Sequence, residues 1–194
     1  MEAARGGRPL GALVAELAAS RIGDTFNQYR RSRLLQERLE EYLEAKRSTS
    51  IVLVGEAAGY RGARISGIPF TSERQLTGTG PAEATATIVH RVLDELGIEG
   101  DVLLWNVVPT HPHEPGHPRT NRRPSRAEID ASSRFLESVV PGRRVVAVGR
   151  LAQRVTGAPY VRHPSHGGGA AFPRDLGALL LRFPAGARSC AAFP

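Results

Sequence analysis

Residues 51–73 read IVLVGEAAGYRGARISGIPFTSE, and the opening run decides the fold. Ile51, Val52, Leu53 and Val54 are too few for a helix and show no polar alternation, the pattern of a strand covered on both faces in a parallel sheet. Gly55 ends the run, Glu56 stands at its mouth between small residues, and a second loop delivers Phe70.

The same signature recurs along the chain. DVLLWNVV (101–108) reads as a second covered strand, RRVVAVG (143–149) as a third, and APYVRHPS (158–165) as a short fourth. AEATATIVHRVLDELG (82–97) reads as a helix closed by Gly97, with Ile88, Val92 and Leu96 on one side. SRAEIDASSRFLESVVPG (125–142) carries Ser125 as N-cap with Glu128 three residues on, a capping box. RLAQRV (150–155) follows the third strand. Leu10, Leu13, Val14 and Leu17, then RRSRLLQERLEEYLEAKR (30–47), repeat at helical spacing, so two helices open the chain. Strand alternating with helix predicts an α/β fold: a three-layer α/β/α sandwich on a central, mostly parallel four-stranded sheet. A chain of 194 residues suits one domain, with helices in 1–48, a core in 50–169 and a frayed tail at 185–194. Residues 110–124, rich in Pro, His and Arg, form the one long irregular loop.

Composition bounds the function. Lys and Arg number 26 against 19 Asp and Glu, a net charge of +7 that is almost entirely Arg excess. Arg suits bidentate phosphate contacts, so a polyanionic partner fits, although a GC-rich coding sequence produces the same bias. The single cysteine, Cys190, rules out a disulfide, a four-cysteine zinc site or a cysteine-held iron–sulfur cluster within the chain. His111, His113 and His117 lie close in sequence but lack an evident Asp or Cys partner, so no metal site is expected. Glu16 interrupts the N-terminal apolar stretch, and nothing reaches the roughly 18 apolar residues of a membrane helix. The expectation is a cytoplasmic protein without membrane contact, acting as a monomer.

In an open parallel sheet, ligands bind beyond the C-terminal strand ends. GEAAGY after the first strand, Asn106 ending the second and HPS after the fourth converge there. VGEAAGY followed by GIPFTS, LLWNVVPTHP, VVAVGRLAQ and VRHPSH, in that order, resembles the uracil-DNA glycosylase superfamily over residues 50–169. The resemblance implies hydrolysis of the N-glycosidic bond between a damaged base, usually uracil but with other deaminated bases open, and deoxyribose in single- or double-stranded DNA, leaving an abasic site, with no cofactor. It implies that Phe70 stacks the flipped base, that Asn106 reads its N3–O4 edge, and that His163 donates to O2 as negative charge develops on the departing base. The uracil pocket is then Gly55, Glu56, Ala57, Tyr60, Phe70, Asn106 and His163, with Tyr60 closing it against a thymine methyl.

Glu56 departs from the familiar branch of that superfamily, in which an Asp stands one residue later, where this chain has Ala57. GEAAGY looks more like branches that begin Gly-Glu-Ala-Pro-Gly, many of which carry an iron–sulfur cluster that one cysteine excludes here. Glu56 orients water, or stabilises the oxocarbenium-like sugar, or holds the turn by accepting loop amides. For DNA contact the resemblance points to Ser72, Ser165, the glycines of HPSHGGG, and the cations Arg61, Arg64, Arg119, Arg122 and Arg123. A residue inserted into the base stack is either His166 or, further on, Phe172. A uracil- or abasic-site-binding protein with little turnover is the alternative, favoured by Ala57 and opposed by His163.

Overall fold

A computed structural model describes residues 10–165 and 167–182; His166, Cys190 and the tail 185–194 lie outside them. Four parallel strands, β1 (Ile51–Ala57), β2 (Val102–Val108), β3 (Arg144–Val148) and β4 (Tyr160–Val161), form one sheet in the order β2-β1-β3-β4. Every residue of β2 is buried, as its unbroken apolar run requires.

Side chains alternate across the sheet and build two cores. Val52, Val54, Leu103 and Trp105 pack with α1 (Leu10–Ala19), α2 (Arg33–Ala45), α6 (Arg126–Val139) and α7 (Arg150–Thr156). Ile51, Leu53, Val102, Leu104, Val146 and Val148 pack with α5 (Ala84–Glu95) and α8 (Ala171–Arg182). The short helices α3 (Ala63–Ser66) and α4 (Glu73–Thr77) lie in the connection from β1 to α5. This is the three-layer sandwich expected. The chain steps from β1 to β2 on one side and then crosses to β3 on the other, so the order reverses beside β1 and opens a crevice there.

Two elements differ from the expectation. The buried stripe of α5 is Ala86, Val89, Val92 and Leu93, while Leu96 is 39% exposed at its C-cap. Helix α8 has no counterpart in the sequence reading, because Pro173 and Gly177 punctuate it. Pro173 falls in the first turn, where no intrahelical N–H bond is lost, and Phe172 and Leu176 are fully buried. Phe172 therefore belongs to the core and does not enter a base stack.

Part of the Arg excess is structural. Arg143 donates to the carbonyls of Val139, Lys46 and Arg47, tying α2 and α6 together at the end of the sheet opposite the crevice. On the outer edge of β2 the amide of Leu104 donates to the Tyr42 phenol of α2 at 2.7 Å. No described helix is long and apolar enough to cross a membrane.

Candidate active site

The parallel register sets Gly55 of β1 directly beside Asn106 of β2. A Cβ on Gly55 would lie 2.2 Å from Phe70 Cζ and 2.9 Å from Asn106 Oδ1, so only glycine lets the ring and the amide meet over the strand. Phe70 reaches this place with φ at +53°, a left-handed conformation that costs a non-glycine residue about 1–3 kcal/mol unless its surroundings impose it. The surroundings do so: Ser66 Oγ donates to Thr71 O at 2.6 Å, Tyr29 Oη donates to Gly67 O at 2.8 Å, and Thr71 Oγ1 pairs with His90 Nε2 at 3.0 Å.

Asn106 is 3% exposed, and among the described residues its side-chain amide makes no hydrogen bond. It lines a cavity of about 470 Å³ together with Glu56, Ala57, Phe70, Glu83 and His163. Four separate elements thus deliver the polar groups to one space: β1, β2, the N-terminus of α5 and the turn after β4.

His163 has its Nδ1 occupied. The Ser165 amide donates to it at 3.2 Å and Ser165 Oγ lies 2.8 Å away, so the neutral ring carries its proton on Nε2 as a donor. Its ring centre is 6.4 Å from that of Phe70. Glu56 is half-buried and accepts no hydrogen bond from the described residues, so the amide-bracing role finds no bond there. Burial pushes its carboxyl above the ordinary carboxylate range, and Arg123 and Arg154 pull it part of the way back. The loop after β1 is instead braced from behind: His111, fully buried, donates from Nδ1 to Ala58 O at 2.9 Å, and burial holds its imidazole below the ordinary value. No group of three His, Cys, Asp or Glu residues gathers among the described residues.

Several expected contacts are spent elsewhere. Tyr60 is not part of the cavity lining; its ring lies beside Arg64, whose guanidinium is 5.2 Å from the Tyr60 ring centre and 4.9 Å from that of Phe26. Ser72 is fully buried, and its amide and hydroxyl both donate to Gln75 at 2.8 Å to cap α4, so its side chain is not presented to DNA. Arg122 and Ser165 do line the cavity, Arg122 while held bidentately by Glu128 at 2.8 and 2.6 Å and Ser165 beside His163. Gly168 allows the chain to pass its own His163 carbonyl, where a Cβ would come within 1.9 Å. Arg61 and Arg119 are exposed away from the lining, whereas Arg123 is exposed and on it.

The sequence reading missed Glu83, Thr85, Asn121 and Arg150 as cavity residues. Glu83 was hidden as the start of a helix pattern. Asn121 sits in the long loop and accepts the Tyr60 amide at 2.9 Å, a contact 61 residues apart that only the fold creates. A second groove of about 760 Å³ between α6 and α7 shares Arg123 with this site but has none of its base-reading groups.

No curated protein sequence gives a significant match to the chain. Among solved structures, wild-type SMUG2 of Pedobacter heparinus superposes with a TM-score of 0.62 at 12% identity, covering 90% of this chain and 96% of that one, a likeness of fold. The family model for the uracil DNA glycosylase superfamily matches residues 43–187. That span contains every strand and every group gathered at the cavity, and the chain belongs to the uracil DNA glycosylase superfamily.

Proposed function

We propose that the chain is a monofunctional uracil-DNA glycosylase, a cytoplasmic repair enzyme that acts as a monomer on single- or double-stranded DNA and needs no cofactor. The observation that carries this reading is the buried, unpartnered amide of Asn106 beside the Phe70 ring. A primary amide offers one acceptor and two donors, the complement of uracil N3–H and O4, and a site built for such a pair rejects a base that lacks it.

In the proposed reaction the extruded uracil stacks on Phe70, with N3 and O4 on Asn106 and O2 toward His163 Nε2–H. Water attacks C1′ as the C1′–N1 bond breaks, and the bonding pair leaves with the base, spread over N1 and O2. His163 then donates to a more negative O2 than in the ground state, which lowers the barrier. Glu56 faces the developing positive charge on the sugar and orients the water, whose proton passes to solvent or to this carboxylate. Water, not an amine, is the nucleophile in this scheme: the one lysine, Lys46, donates to the Glu99 carbonyl and lies just before the start of β1, at the far end of the sheet.

Ala57 favours a second reading, a protein that binds uracil or abasic sites with little turnover. Incubation with a uracil-containing oligonucleotide followed by alkali separates the two. Strand cleavage at uracil supports the enzyme, whereas an intact strand with a retained gel shift supports the binder.

A further inference from the structure

With Tyr60 outside the cavity, the wall that meets position 5 of the base has no assigned residue. On the proposed reading of the site, on which this inference rests, the base orientation identifies that wall. C5 of a pyrimidine is opposite C2 across the ring, so a base with O2 toward His163 directs C5 away from His163. His163 follows β4, at one edge of the sheet, and C5 therefore faces the β2 side. There the loop after β1 leans onto the end of β2, with the Ala58 amide donating to Val108 O at 3.3 Å.

Glu83 occupies that side. It is the N-cap residue of α5 but makes no side-chain cap bond. Its carboxylate instead lies across the loop: a Cβ on Gly59 would be 2.1 Å from Oε1, and one on Gly62 would be 2.1 Å from Oε2. Neither glycine has a positive φ, so what they provide is room for this side chain. Glu83 and Gly59 both line the cavity, and among the described residues the carboxylate has no hydrogen bond or ion pair. Desolvation raises its pKa, with no cation beside it among the described residues to offset the burial.

We infer that Glu83 is the residue that sets specificity at position 5 of the base, excluding thymine by filling the space above Gly59 that a 5-methyl group would need. Two effects act together. The carboxylate occupies the volume, and pressing a methyl against it would strip water from a polar group with no hydrogen bond in return. Pro112 and Asn121 line the same cavity, but the Asn121 oxygen is engaged by Tyr60, so Glu83 is the group whose removal opens this wall.

The test measures excision of uracil and of thymine from matched G-mispaired and single-stranded oligonucleotides and takes the ratio of the two rates. Ser is a favoured N-cap residue at a position where Glu83 makes no cap bond, so Glu83→Ser folds at least as well as the parent. The expected result is a uracil-to-thymine ratio reduced roughly 10- to 200-fold, the usual worth of one methyl in a pocket. Glu83→Gln, of equal volume, keeps the wild-type ratio. A wild-type ratio in Glu83→Ser, or an equal fall in Glu83→Gln, overturns the inference. Wild-type protein that excises uracil with either of those outcomes sinks the role of Glu83 alone, whereas wild-type protein that excises no uracil sinks the glycosylase reading beneath it.

Discussion

Asn106 is 3% exposed and its amide has no partner among the described residues, yet its polar atoms are open to the cavity, where a base can bind them. Asn106→Asp is therefore expected to lose uracil excision or shift it toward cytosine: the substitution removes the donor aimed at O4. His163→Ala and Glu56→Ala are each expected to slow excision by about 10²-fold or more in single-turnover kinetics; rates near wild type would return both residues to a structural role. Glu56 also sets a pH dependence. Burial raises its pKa, so the ionised form that the proposed reaction uses is lost at a higher pH than for an ordinary carboxylate as the solution is acidified. The rate should fall on that limb, and the limb should vanish from the residual rate of Glu56→Gln. That these three residues gather at one cavity was legible from sequence, because each is a polar group within or just after an apolar strand run. Tyr60 was not, since adjacency in sequence says nothing of which way a loop side chain turns. Ser72 looks like a phosphate contact until its partner Gln75 is seen, whereas Arg122 lines the cavity while paired with Glu128.

At the scale of elements, the strands and most helices follow from periodicity and capping, and the connections do not. Ser125 and Glu128 cap α6 reciprocally, with the Ser125 amide donating to Glu128 at 2.8 Å and the Glu128 amide to Ser125 Oγ at 3.3 Å. The same carboxylate also anchors Arg122, which donates to the His113 carbonyl, so one buried acid fastens the long loop 110–124 to α6. Burial alone would raise the Glu128 pKa, but Arg122 and Ser125 more than offset it and the net shift is downward. That stabilisation is present above the pKa in the unfolded chain and is lost as pH falls through the depressed folded value. Glu128→Ala leaves Arg122 half-buried without its partner and should destabilise by about 3–5 kcal/mol in urea denaturation. A change under 1 kcal/mol would mean the loop is held by other contacts. Helix α8 escaped the sequence reading because Pro173 and Gly177 are ordinarily breakers, and only packing of Phe172 and Leu176 against the sheet decides otherwise.

Across the whole molecule, charge is divided between the two ends of the sheet. Arg123 and Arg150 line the cavity at the C-terminal strand ends, while Arg143 stitches helices at the other end. Net charge alone could not make this distinction. If Arg123 meets a phosphate, Arg123→Ala should make the slope of log affinity against log salt shallower by about one unit. Arg143→Ala should lower stability and leave that slope unchanged; a fall in slope there would place DNA on the wrong face. Glu83 shows the same limit of sequence from the other direction. It comes from α5 to complete a wall begun by β1, and nothing in a helix pattern marks a residue for that purpose. The central claim, that the gathered groups excise uracil, is tested most directly by single-turnover excision from a uracil-containing oligonucleotide. Wild-type protein is expected to produce alkali-labile strands, and Asn106→Asp to lose uracil release while remaining folded. Equal uracil excision by the two proteins, or none by wild type, would contradict it.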